Sequence, residues 1–191
     1  MLTRARIVWA VVALVVVGAG FLGVRLWNGE PYPSSDPDLV AAGLEDRARM
    51  LYADSGLSGQ PRADRVQKDE CAYRGLRGIA HLDDSGRPDV WQLRLEWSVP
   101  GLDAGAARAA QDRIRGRLER QSWTAKGGIF GDMGFRFRDP ASDEQVDVIW
   151  YRSTGTMLVR VSAPCGKVPR HYLDSDSDAD ADWKRSVWNP V

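Results

Sequence analysis

Two histidines, one pair of cysteines, an alternating aspartate tail and a stripe of arginines are the residues of this chain whose chemistry could build a site. His81 is followed by Asp83 and Asp84, with Ser55 and Ser58 upstream, so a histidine and carboxylate activating a serine is one reading: a hydrolase or small-ligand enzyme using His81 and nearby carboxylates. The local motif opposes it. Gly56 to Gly59 reads GLSG rather than the G-x-S-x-G elbow, and it follows a helical pattern instead of a strand. A structural or surface role is therefore expected for His81 and His171.

Cys71 and Cys165 are predicted to form a disulfide, because two sulfurs with no nearby histidine cannot fill a tetrahedral zinc shell. Closing a loop of about 95 residues stabilises by roughly 4 to 5 kcal/mol in the chain-entropy model. In the tail, Asp174, Asp176, Asp178, Asp180 and Asp182 stand at alternate positions and mimic the opening of a calcium loop. Ala179 stands where that loop needs glycine and Arg185 where it needs an acidic ligand, so a solvated acidic segment is expected, with Trp183 and Trp188 flanking Lys184 and Arg185. No metal site and no cofactor motif is expected. At 100° per residue Arg113, Arg117 and Arg120 share one helix flank without an acid among them, a surface suited to an anionic partner if it is not simply solvated or paired. Trp91, Trp97, Phe135 and Phe137 alternate on strands and are expected in the core.

Several elements must position these groups, beginning at the N-terminus. Arg4 and Arg6 precede an uncharged run from Ile7 to Val24, and Arg25 follows it. As a helix these 18 residues extend roughly 27 Å, close to the ~30 Å hydrocarbon thickness of a bilayer. The pattern predicts a cytoplasmic tip and transmembrane anchor over 1–27, with membrane contact through 7–24. A cleaved leader is the alternative, its nearest small residues being Gly18, Ala19 and Gly20. No Lys or Arg lies between Trp27 and Asp46, so the N-terminus is expected in the cytoplasm and the domain outside it, or secreted if the leader is cleaved. Residues 28–37, rich in Pro, Ser and Asp, read as a stalk; 38–173 form the domain and 174–191 the acidic tail.

Charge excludes one class of partner. The chain holds 26 basic and 26 acidic side chains; without Arg4, Arg6 and Arg25 there are 23 bases, and without the tail the domain has 21 of each sign. A neutral body lacks the dense positive surface that nucleic acid binding needs.

Within the domain, Val40, Leu44, Ala48 and Leu51 mark a helix from Asp36 or Asp38 to Gly56, and Ala107, Ala110, Ile114 and Leu118 a second one capped by Asp103. Period-two segments predict strands over Tyr73–Leu82, Val90–Val99, Ile129–Arg138, Gln145–Arg152 and Thr156–Ala163. The fold expected is α+β: order α-β-β-α-β-β-β after one transmembrane helix, with a five-stranded antiparallel sheet and helices on one face. A bridge joining the start of the first strand to the end of the fifth makes them neighbours, giving sheet order 2-1-5-4-3.

The short N-terminal span, the high Arg usage, the W-x-L-x-L-x-W strand running into Val99, Pro100 and Gly101, the helix ending near Trp123 and the SAPC closing at Ser162 to Cys165 resemble the single-span, membrane-anchored extracytoplasmic proteins of high-GC Gram-positive (actinobacterial) type. The resemblance implies a location and a small α+β body, and carries over no catalytic residue. The function expected is a noncatalytic binding or accessory module for a protein or an anionic envelope component.

Overall fold

Apolar residues recur at helical spacing in two segments of the body and at alternate positions in four others. The structure, a computed structural model, folds them accordingly. It describes residues 2–58, 61–63, 65–81, 86–127 and 132–173, with side chains from Leu14 onward. In chain order the elements are α1 (Leu2–Asn28), α2 (Pro37–Ser55), β1 (Arg62–Ala63), β2 (Gln67–Cys71), α3 (Arg77–Ala80), β3 (Arg87–Val99), α4 (Ala104–Arg120), β4 (Thr124–Lys126), β5 (Met133–Arg138), β6 (Gln145–Tyr151), β7 (Thr156–Ser162) and β8 (Gly166–Lys167), then a 3-10 turn at Arg170–Tyr172.

Both body helices start on an aspartate that answers otherwise unpaired N–H groups. Asp36 Oδ1 accepts from the Asp38 and Leu39 amides of α2, and Asp103 Oδ1 from the Ala106 amide of α4 at 2.7 Å. Gly56 ends α2 at φ 64°, a left-handed cap that glycine adopts without strain. Leu44, Ala48 and Leu51 of α2 and Ala107, Ala110, Ile114 and Leu118 of α4 pack on one face of the sheet against Leu95, Trp97, Val146, Val148, Val159 and Val161. Trp91, Trp97, Phe135 and Phe137 all lie in this core.

The antiparallel sheet has eight strands in six lanes. β1 and β2 lie end to end along one edge of β3, β7 and β8 along its other edge, and β6, β5 and β4 follow outward from β7. The expected five-stranded sheet and its 2-1-5-4-3 order are thus corrected. Residues 73–81 contribute no strand; they hold α3, with Leu76 and Ile79 exposed. No strand stands between β3 and β7, where one was expected; β2 pairs with β3 on its outer edge, and its QKDEC sequence has no apolar alternation but carries the charges usual at a sheet edge. The remaining order, β3-β7-β6-β5, puts β3 and not the first expected strand beside β7. Cys71 and Cys165 are joined, their Cα atoms 6.1 Å apart, but Cys71 ends β2 and Cys165 precedes β8, so the bridge straddles β3 instead of linking neighbouring strands.

The expected transmembrane helix is corrected as well: among the described residues no helix is long and apolar enough to cross a membrane. The last turn of α1 is tied to the body, its Leu26 carbonyl accepting from the Leu76 N–H at 3.0 Å. Residues 28–37 are held to the body. Ser35 N–H donates to the Lys167 carbonyl at 2.8 Å, Lys167 N–H to that of Pro33 at 2.7 Å, and Tyr32 Oη to that of Ala72 at 2.6 Å.

Candidate functional site

On β3 the side chains of Trp91, Leu93, Leu95, Trp97 and Val99 face the helices, so Gln92, Arg94, Glu96 and Ser98 face the other way. The register of the neighbouring strands turns this single polar edge into a row. Glu96 lies opposite Arg160 of β7, Arg160 opposite Asp147 of β6, Asp147 opposite Arg136 of β5, and Arg136 opposite Lys126 of β4. No described helix covers this face.

The row is tied by short, charge-assisted contacts. Arg136 donates to Asp147 through Nε and Nη2 at 2.6 and 2.8 Å, a two-pronged contact, and Gln145 Nε2 donates to the same carboxylate at 3.1 Å. Asp147 is only 1% exposed, and its hydrogen bond raises the pKa of the Arg136 guanidinium, outweighing the lowering caused by the guanidinium's own burial. Arg160 Nε donates to Glu96 at 2.6 Å, and Arg94 to Asp69 at 2.7 Å and to Gln67 Oε1 at 2.8 Å. Arg138 pairs with Asp143 beside it. Charges alternate over four lanes from Glu96 to Arg136, Lys126 adds a second cation in the fifth, and each carboxylate of the row is held by a guanidinium. Such carboxylates are spoken for and poorly placed to take protons from a substrate; the arrangement presents a pattern of charge rather than a reactive group.

The residues singled out from the sequence lie elsewhere. Arg113 Nη1 donates to the Ser55 carbonyl at 2.9 Å, closing the C-terminal end of α2, and Arg117 Nε lies 3.4 Å from Asp54. Two of the three arginines of that flank therefore join α4 to α2, and Arg120 is exposed. His81 caps the end of α3 with its ring stacked on Tyr73 at 4.1 Å, while Asp83 and Asp84 lie outside the described residues. His171 packs on Tyr172 at 4.3 Å. Ser55 is buried, its Oγ donating to the Tyr52 carbonyl at 2.6 Å and accepting from the Leu57 amide, so it closes a helix end; Ser58 is exposed. The aspartates from Asp174 to Asp182 lie outside the described residues, as do Trp183 and Trp188. Among the described residues no group of three His, Cys, Asp or Glu side chains could hold a metal ion.

No family model, curated protein or solved structure matches this chain. The geometry therefore carries the functional reading by itself. Arg94, Glu96, Arg136, Asp147 and Arg160 were each visible as polar positions on alternating strands, but only the register lines them up. A second feature lies where α1 meets the body: a cavity of about 600 Å³ whose lining includes Phe21, Val24, Arg25, Arg77 and Arg87.

Proposed function

We propose that this protein is a noncatalytic binding module that works outside the cytoplasm, close to a membrane, and receives a protein partner on the uncovered face of its sheet. The row from Glu96 to Lys126 is the observation that carries the reading. The row alternates from Glu96 to Arg136 and ends on Lys126 with a sum of one positive charge, too little to attract a uniformly charged polymer, but its alternation does set the register of a protein surface bearing the complementary pattern. Disulfides persist in oxidising compartments, and the Cys71–Cys165 bridge supports the location. Membrane proximity is supported by α1, on which Phe21, Leu22, Val24 and Leu26 are 60–66% exposed. Such apolar surface gains about 25 cal/mol per Å² on leaving water.

Two experiments test this. Intact cells are treated with a membrane-permeant alkylating agent and the protein is isolated for mass spectrometry; Cys71 and Cys165 should be recovered linked and unmodified, and two alkylated thiols would refute the location. A photocrosslinker placed at Ser98 should capture a protein that Lys126→Glu combined with Arg138→Glu releases. Capture unchanged by that pair, or lost equally with Arg120→Glu, would refute the sheet face as the binding surface.

A further inference from the structure

The cavity at the base of α1 combines cations with apolar walls in a joint whose backbone is tightly built. Leu76 N–H donates to the Leu26 carbonyl at 3.0 Å, tying the last turn of α1 to the segment that opens α3, and Gly29 N–H closes α1 on the Arg25 carbonyl at 2.8 Å. Gly29 and Gly75 both take positive φ, 68° and 66°, and a Cβ on Gly75 would sit 2.4 Å from the Gly29 nitrogen. Only glycine permits this approach.

Three arginines border the space, and they are not equivalent. Arg87 is held by Asp89 through two hydrogen bonds of 3.0 and 2.7 Å. Arg25 meets Glu30 at 3.6 Å with both side chains more than half exposed, a pairing worth little in water. Arg77 makes no ion pair among the described residues; its guanidinium lies 5.1 Å over the Tyr73 ring. Arg25 and Arg77 are thus the cations with bonding capacity left for an anion. Next to them Phe21 and Val24 supply apolar wall, and Leu76 and Ile79 of the adjoining segment are 51% and 66% exposed.

We propose that this cavity binds the phosphate of one anionic phospholipid, its headgroup between Arg25 and Arg77 and its acyl chains along Phe21 and Val24. The proposal rests on the membrane-side location argued above and adds the ligand. Guanidinium is the side chain best matched to phosphate oxygens, and the apolar wall selects an amphiphile over a free anion. The surrounding arrangement fixes where the body stands relative to the bilayer surface, because the same backbone joint holds α1 and α3.

The test is native mass spectrometry of the full chain, purified in a nonionic detergent, with dioleoyl phosphatidylglycerol, dioleoyl phosphatidylcholine or inorganic phosphate added at equal concentration. One phosphatidylglycerol should be retained, phosphatidylcholine and phosphate should not, and Arg25→Gln with Arg77→Gln should weaken retention by about tenfold or more. Arg138→Gln, on the sheet face, should leave it unchanged. Equal retention of the two lipids, competition by inorganic phosphate at equal concentration, or undiminished binding to the double variant would overturn the proposal. Arg25 and Arg77 are both largely exposed, so the variants fold, which the intact disulfide and far-ultraviolet circular dichroism verify. The measurement uses purified protein, so its failure leaves the alkylation result, and with it the location, standing.

Discussion

Arg136 and Asp147 show how differently two ion pairs on one sheet face can matter. The Asp147 carboxylate is buried and doubly bound, whereas Arg138 and Asp143 are about half exposed. Arg136→Ala strands a buried charge and should destabilise by about 2–3 kcal/mol, while Arg138→Ala should change stability by less than about 1 kcal/mol; urea unfolding of both variants checks the contrast. A second residue-scale prediction concerns acid. The bidentate hydrogen bond from Arg87 holds the Asp89 carboxyl below its usual range, and backbone N–H donation by Ala141 does the same for Asp139. A depressed native pKa contributes stability that is complete above the unfolded value of about 3.9 and is lost as pH falls through the native one. Melting temperatures measured from about pH 5 down to about pH 2 should fall, and fall less steeply in Asp89→Asn. An acid limb identical to that of the unmodified chain would contradict the assignment.

At the scale of elements, the joint between α1 and the body turns on Gly75. Gly75→Ala puts a Cβ against the Gly29 nitrogen and the Leu26 carbonyl oxygen, at 2.4 and 2.6 Å, in a left-handed conformation. The joint should open, and hydrogen exchange at the Leu76 amide, which bonds Leu26, should accelerate while the β6 and β7 amides stay protected. The α4 cap is simpler. Asp103→Ala removes the only described side-chain acceptor at that helix start and should cost about 1 kcal/mol in urea unfolding. Both body helices were legible in advance, because the acceptor at the N-cap and the apolar stripe are local features of the chain. The short strands were not: β1, β2, β4 and β8 are short and polar or small, and they exist because β3 and β5 offer them hydrogen bonds.

For the whole molecule the bridge is the largest single constraint. It closes a separation of 94 residues that contains β3, α4 and β4 to β7. Reduction should lower unfolding free energy by about 4–5 kcal/mol on the chain-entropy model, read as a shift in urea midpoint with and without reductant; no shift would mean that the reduced unfolded chain is equally restricted. One face of the sheet receives both helices and the apolar side chains, and the opposite face keeps the charges, so the core and the proposed docking surface are two sides of the same strands. The cavity at α1 stands apart from both, lined from α1, the segment after it, α3 and the start of β3.

What this chain carries in its residues alone is what depends on near neighbours: capped helices, alternating strands, a pair of sulfurs suited to bridging, and an apolar N-terminal run. Periodicity and capping act within a few residues and can be read directly. Tertiary structure decided the rest. The place of β3 beside β7, the bridge across β3, the charge row from Glu96 to Lys126 and the approach of Gly75 to Gly29 all join residues distant in the chain. Such pairings depend on strand register, and a one-residue slip turns every side chain to the other face, so no local signal fixes them.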